Sequence, residues 1–203
     1  TQGLAVAHNA EVIVLVMGLS PQLEGEEMPI EIAGFSGGDR TDINLPAPQQ
    51  RLLQKIHALG KPVVLVLTNG SALGVRWAAQ HVPAIVEAWY PGQAGGAALA
   101  DVLFGAYNPA GRLPVTFYAS VDDLPPFEDY AVENRTYRYF GGHPLYPFGH
   151  GLSYTRFEYA NLHLDRATLP AGGQVAVSLE VTNSGTRDGD EVVQLYARQM
   201  DDA

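Results

Sequence analysis

Cysteine is absent from the 203 residues, which removes disulfides, thiolate nucleophiles and cysteine metal sites and leaves the redox compartment open. Basic residues are scarce: 12 Lys and Arg stand against 22 Asp and Glu, for a formal net charge of −10. No Lys/Arg cluster occurs anywhere in the chain. Nucleic acid and anionic membrane surfaces both need a basic patch, so neither is an expected partner. A neutral ligand such as a sugar is indifferent to that charge. Long hydrophobic runs are missing too, since the apolar stretch Val12–Leu19 is far too short to span a bilayer. The first residues lack the basic flank and cleavage site of a signal peptide, so any export signal is expected upstream. With 17% charged residues and ordinary apolar content, the chain reads as globular, one full domain plus part of another.

The apolar residues are organised in alternating elements. Val12–Met17 is a continuous β-branched run ended by Gly18, the pattern of a buried parallel strand, and Val63–Leu67 repeats it before Asn69-Gly70. Between them Leu52, Leu53, Ile56 and Leu59 fall at helical spacing within Gln49–Leu59. Pro48 suits the first turn of that helix and Gly60 its cap. Val75–His81 predicts a second helix, Ala84–Tyr90 a third strand, Gly95–Phe104 a helix with small residues for close packing, and Leu113–Tyr118 a short last strand. The expected fold class is α/β, a mostly parallel sheet sandwiched by helices over residues 1–118. Residues 119–156 form an aromatic-rich connector expected to pack on that domain, because disordered linkers are poor in aromatics. From Val175 the period drops to two, with Val175, Val177, Leu179 and Val181 on one face, and Glu191–Ala197 reads as another strand. Residues 157–203 are therefore expected to begin an antiparallel β-sandwich. An immunoglobulin-type sandwich needs about 100 residues, so only its N-terminal part is expected here, with apolar edges at Val177 and Leu179 left open.

The segment with most chemistry follows the first strand. Leu23-Glu24-Gly25-Glu26-Glu27 places three carboxylates within four positions, a dozen residues before Gly38-Asp39-Arg40. Closely spaced like charges disfavour ionisation, which suits a group that must carry a proton near neutral pH. Loops after parallel strands also gather at the carboxyl edge of the sheet, where ligands bind. Solvation of a loop by its acids is the competing reading.

Five segments then occur together: Leu23–Glu27; Gly38-Asp39-Arg40 with Leu45-Pro46; Ala88-Trp89-Tyr90-Pro91-Gly92 with Gly95-Gly96; Asn108–Pro114; and Tyr146–Tyr154. Their order and spacing resemble the C-terminal half of glycoside hydrolase family 3, the β-glucosidase and β-xylosidase family. Val181–Gly185 and Glu191–Tyr196 resemble the fibronectin type III-like domain at that family's C-terminus. The resemblance implies a retaining, exo-acting β-glycosidase for terminal β-linked sugars of oligosaccharides, in which two carboxyl groups flank the glycosidic bond. The nucleophilic Asp would come from a preceding (β/α)₈ barrel of the same polypeptide, absent here, and the acid/base Glu from this α/β domain. The chain alone is then expected to be inactive. Met28–Gly38 reads as an insertion relative to the compact loop of other members. Counting from Leu23 makes Glu26 the first candidate for the acid/base and Glu24 the second, ahead of Glu27 and Glu31.

Within the insertion Phe35 could offer a sugar-stacking platform, although loop aromatics more often pack. Asp39 and Arg40 could orient the loop. The resemblance requires no metal or cofactor, His143 and His150 lack zinc spacing, and the acidic loop lacks the pattern of a calcium loop. It favours a periplasmic or secreted location, and the long loop a xylosidase-type member. The alternatives are a non-catalytic carbohydrate-binding or scaffold module of the same fold, and a nucleotide-binding domain. Gly18-Leu19-Ser20-Pro21 is neither a P-loop nor a dinucleotide turn, which argues against the latter.

Overall fold

The computed structural model describes residues 2–25 and 28–198. These fall into two compact units, residues 1–99 with 113–150, and residues 100–112 with 151–203.

The first unit starts with helix α1 (Gln2–Asn9), strand β1 (Ile13–Gly18) and the short helix α2 (Pro21–Glu24). A two-residue hairpin follows, β2 (Phe35–Ser36) against β3 (Asp39–Arg40), then helix α3 (Ala47–His57), strand β4 (Val63–Thr68), helix α4 (Arg76–His81) and strand β5 (Ala84–Glu87). Helix α5 (Gly95–Leu103) begins in this unit and ends in the second. The β-branched runs become a parallel sheet in the order β1-β4-β5, with Ile13 beside Val63, Gly18 beside Thr68 and Leu67 beside Glu87. Ile13, Met17, Val63, Leu65 and Leu67 share one face, and Ala7 of α1, Leu53 and Ile56 of α3 and Ala78 of α4 bury with them in a single core. On the opposite face Val14 and Val16 of β1 are exposed. The helical spacing of Leu53 and Ile56 is what puts both in that core, while Leu52 and Leu59 border it.

Within this unit two expected strands come out differently. Ala84–Tyr90 is a strand only to Glu87, because the Glu87 carboxylate accepts the Trp89 amide at 2.9 Å and the chain turns there, with Trp89 at φ +52°. Leu113–Tyr118 adds no strand to the parallel sheet. It pairs instead with residues 146–150 through Leu113 N to His150 O, Gly149 N to Leu113 O and the reciprocal Phe117–Tyr146 bridge. Phe117 is thereby buried, edge-on to Trp89 and Tyr146, and Tyr146 stacks on His150 at 5.0 Å. Between these arms, Ser120 caps a 3-10 turn at Val121–Asp123, helix α6 (Thr136–Tyr139) follows, and Tyr118 meets Phe140 edge-to-face.

The second unit is built on the antiparallel pair β6 (Phe157–Leu164) and β7 (Val177–Asn183), with a register shift between Ala160 and His163. Residues 191–198 form no strand; Glu191 instead pairs with Arg112 at 2.9 Å. The buried Asn108 ties the unit together, donating to Asp188 O and accepting from the Ser153 hydroxyl and the Tyr154 amide. Val177 and Leu179 are half-buried, whereas Leu162, Leu164 and Leu195 are exposed. No described helix is long and apolar enough to cross a membrane.

Candidate functional site at the carboxyl edge of the sheet

All three strands of the parallel sheet run toward one edge, and the segments that leave it there meet around Glu24. After β1, Ser20 caps α2 by accepting the Leu23 amide at 3.1 Å, and Pro21 occupies the first turn, where its missing N–H costs nothing. The helix lasts one turn. Gly25 closes it in the left-handed conformation at φ +58°, and a Cβ there would lie 2.1 Å from Ile30 Cγ1, so the position admits only glycine. Gln49 of α3 fastens the strand end beneath, with its amide donating to Gly18 O and accepting from Gly18 N, both at 2.8 Å.

Glu24, the last residue of α2, is held at both carboxylate oxygens. The Ser71 hydroxyl, from the loop after β4, donates to Oε1 at 2.8 Å, and the Tyr90 hydroxyl, from the loop after β5, donates to Oε2 at 2.6 Å. Arg40 of β3 enters from a third side. Its guanidinium donates to the Ser71 hydroxyl at 3.1 Å, to Ala72 O at 3.0 Å and to Asn44 O at 3.4 Å. Burial lowers the Arg40 pKa, and the neighbouring charges of Glu24 and Asp42 oppose that shift. Burial and the hydrogen bond to Glu24 both push the Tyr90 phenol up, so it remains a donor across the working pH range. Gly70 leaves room for this contact: a Cβ there would sit 2.8 Å from Glu24 Oε2 and 2.8 Å from the Tyr90 ring.

A second carboxylate is tied to the same two loops. Glu87, at the end of β5, receives the Trp89 amide and the side-chain amide of fully buried Asn69 at 3.2 Å, and Asn69 also donates to Ser71 O. Burial raises the Glu87 pKa to about 7, against the lowering effect of those two hydrogen bonds. The loops carrying Ser71 and Tyr90 are thus joined through Asn69 and Glu87 as well as through Glu24.

The acidic segment is only partly a loop, since Glu24 belongs to α2. Glu26 lies outside the described residues, as does Glu27. Phe35 is half-buried, packs against the core and lines a shallow hollow formed by residues 29–37. Glu31 is exposed in the same segment. Asp39 forms no ion pair with Arg40 among the described residues, and no described group of His, Asp or Glu side chains is arranged to hold a metal. The sequence pattern assigns no site role to Ser71, Asn69 or Glu87, and Tyr90 enters it only within the segment Ala88–Gly92 that carries the family resemblance. The available signal was Glu87 itself, a charge inside the apolar run 84–90.

Residues 1–154 match the family model described as the glycosyl hydrolase family 3 C-terminal domain. The chain is 50% identical over 190 residues to a protein of Xylanibacter ruminicola named xylan 1,4-beta-xylosidase, covering 94% of this chain and 22% of that protein. It is 39% identical over 211 residues to a periplasmic beta-glucosidase of Salmonella typhimurium, covering 98% of this chain and 26% of that one. Among solved structures, a Bifidobacterium adolescentis GH3 beta-glucosidase superposes with a TM-score of 0.78 at 32% identity, over 93% of this chain and 28% of that chain. The chain therefore spans about a quarter of the length of the relatives it matches. With the parallel sheet and its carboxyl-edge site in place, this match establishes that the chain belongs to glycosyl hydrolase family 3, in the C-terminal portion of its members.

Proposed function

We propose that the whole protein is a retaining exo-β-glycosidase and that this chain supplies its general acid/base from the segment after β1, with Glu26 in that role. The observation that supports Glu26 over Glu24 is the double engagement of Glu24. A general acid must direct a proton at the leaving oxygen, whereas both Glu24 oxygens accept hydrogen bonds from Ser71 and Tyr90. Glu26 follows that fixed point after one left-handed residue, Gly25. A β-xyloside is the favoured substrate, since the relative at 50% identity is named a xylosidase and the segment between α2 and β2 is long. Phe35 is proposed to offer its exposed edge to the sugar.

The chemistry has two steps. A carboxylate from the barrel of the same polypeptide bonds to the anomeric carbon as the C–O bond to the aglycone breaks, and the Glu26 proton goes to the departing oxygen. Glu26, now a carboxylate, then takes a proton from water as the water oxygen bonds to the anomeric carbon and frees the nucleophile. The charge of a nucleophilic carboxylate disfavours ionisation of a neighbouring acid before glycosylation and ceases to do so once that carboxylate is glycosylated, which is the order the two steps require.

The test is the anomer released first by the full-length enzyme from an aryl β-xyloside and an aryl β-glucoside, followed by proton NMR. Initial β-sugar from the full-length protein, with none from residues 1–203 alone, is expected. Initial α-sugar would overturn the retaining mechanism.

A further inference from the structure

We infer that Tyr90, Ser71 and Arg40 form a clamp on Glu24 that positions the acid/base segment for catalysis, an inference that rests on the assignment of Glu26 above. Glu24 and Glu26 are separated by a single residue, and that residue, Gly25, is tied back to α2 by its amide, which donates to Pro21 O at 3.0 Å. Holding Glu24 and Gly25 therefore fixes the end of α2 from which the acid/base segment continues.

Three separate segments hold it. Tyr90 reaches from the loop after β5, Ser71 from the loop after β4 and Arg40 from β3, and each bond involves a charged group or a hydroxyl oriented by one. Charge-assisted hydrogen bonds are about twice as strong as neutral ones. A carboxylate with two hydroxyl donors therefore fixes the end of α2 better than the four-residue helix does by itself, since so short a helix has little stability of its own. Arg40 acts one step back: it fixes the Ser71 hydroxyl and the Ala72 carbonyl, so Ser71 presents its proton to Glu24. Glu87 and Asn69 hold the other two loops in register, through the Trp89 amide and Ser71 O. None of these side chains needs to touch substrate; Tyr90, Ser71 and Arg40 are positioning residues.

Misplacing a general acid has a signature that loss of fold does not. A good leaving group departs with little protonation, whereas a poor one needs the acid, so displacement of the acid penalises only the second. The experiment measures kcat/KM of the full-length enzyme for a dinitrophenyl and a phenyl β-glycoside in Tyr90→Phe, in Tyr90→Phe/Ser71→Ala and in Glu26→Ala. Tyr90→Phe retains the ring and its packing. It is expected to lose roughly 10-fold on the phenyl substrate and less than about 3-fold on the dinitrophenyl one, with the double variant extending the first loss toward roughly 100-fold. Equal losses on both substrates, or none on either, would overturn the clamp. Glu26→Ala separates the two claims. Selectivity in Glu26→Ala without selectivity in the clamp variants removes the clamp and leaves the acid/base assignment standing, while absence of selectivity in Glu26→Ala removes the assignment and the inference with it.

Discussion

Replacing Glu87 by Gln should change the pH dependence of stability in a direction that the structure fixes. In the folded protein burial raises the Glu87 pKa from 4.5 to about 7, so between those values the native state binds more protons at this site than the unfolded chain. Stability then falls as pH rises through that window; the contribution is complete below pH 4.5 and gone above about 7. At 1.36 kcal/mol per pKa unit the upper bound is about 3 kcal/mol, and a half-buried side chain that keeps two hydrogen bonds should realise on the order of half of it. Gln is neutral at every pH, so Glu87→Gln removes this dependence at the expense of about 1 kcal/mol for one weakened hydrogen bond. The assay is the thermal midpoint of the full-length protein and the variant at a series of pH values from 4.5 to 8. The parent's advantage over the variant should shrink steadily with pH, by roughly 3–6 °C in total for a cooperative unit of this size. An offset that stays constant across the series would show that Glu87 is not protonated near neutrality and would refute the reasoning from burial.

Two other substitutions probe the frame around Glu24. Gly70→Ala introduces a methyl 2.8 Å from both the Glu24 carboxylate and the Tyr90 ring, and it should reproduce the phenyl-glycoside loss of Tyr90→Phe, roughly 10-fold in kcat/KM; unchanged kinetics would mean the contact yields without consequence. Gln49→Ala removes both bonds to the Gly18 backbone, about 2 kcal/mol at about 1 kcal/mol each. Amide hydrogen exchange at Gly18 should accelerate by roughly 30-fold, and an unaltered rate would show that β1 ends securely without it.

The strands and helices that carry the sheet were legible because each is specified locally. Val63–Leu67 is a continuous β-branched run, and Leu53 and Ile56 sit at helical spacing, so their patterns identify β4 and α3 with only the ends displaced. The pattern of Leu113–Tyr118 points to a last strand of the sheet, whereas its pairing partner, residues 146–150, lies more than twenty-five residues away and contains Pro147, which local alternation cannot reveal. The same limit applies to the site. The acidic segment drew attention through its charges, yet what distinguishes Glu24 from its neighbours is a pair of hydroxyls 47 and 66 residues further along the chain. Ser71 carries no local mark of that role, and the segment around Tyr90 marks the family without showing which carboxylate the hydroxyl meets. The Glu87 turn was hidden by the apolar run in which it sits, and only the positive φ of Trp89 exposes it.

The most direct measurement of the central claim compares Glu26→Ala and Glu24→Ala in the full-length enzyme on an activated aryl β-glycoside, with and without azide. Azide replaces a missing general base as an external nucleophile that needs no deprotonation. Glu26→Ala is predicted to accumulate glycosyl-enzyme and to release β-glycosyl azide, while Glu24→Ala forms no β-glycosyl azide and is not rescued. Rescue of Glu24→Ala alone would make Glu24 the acid/base and contradict the account.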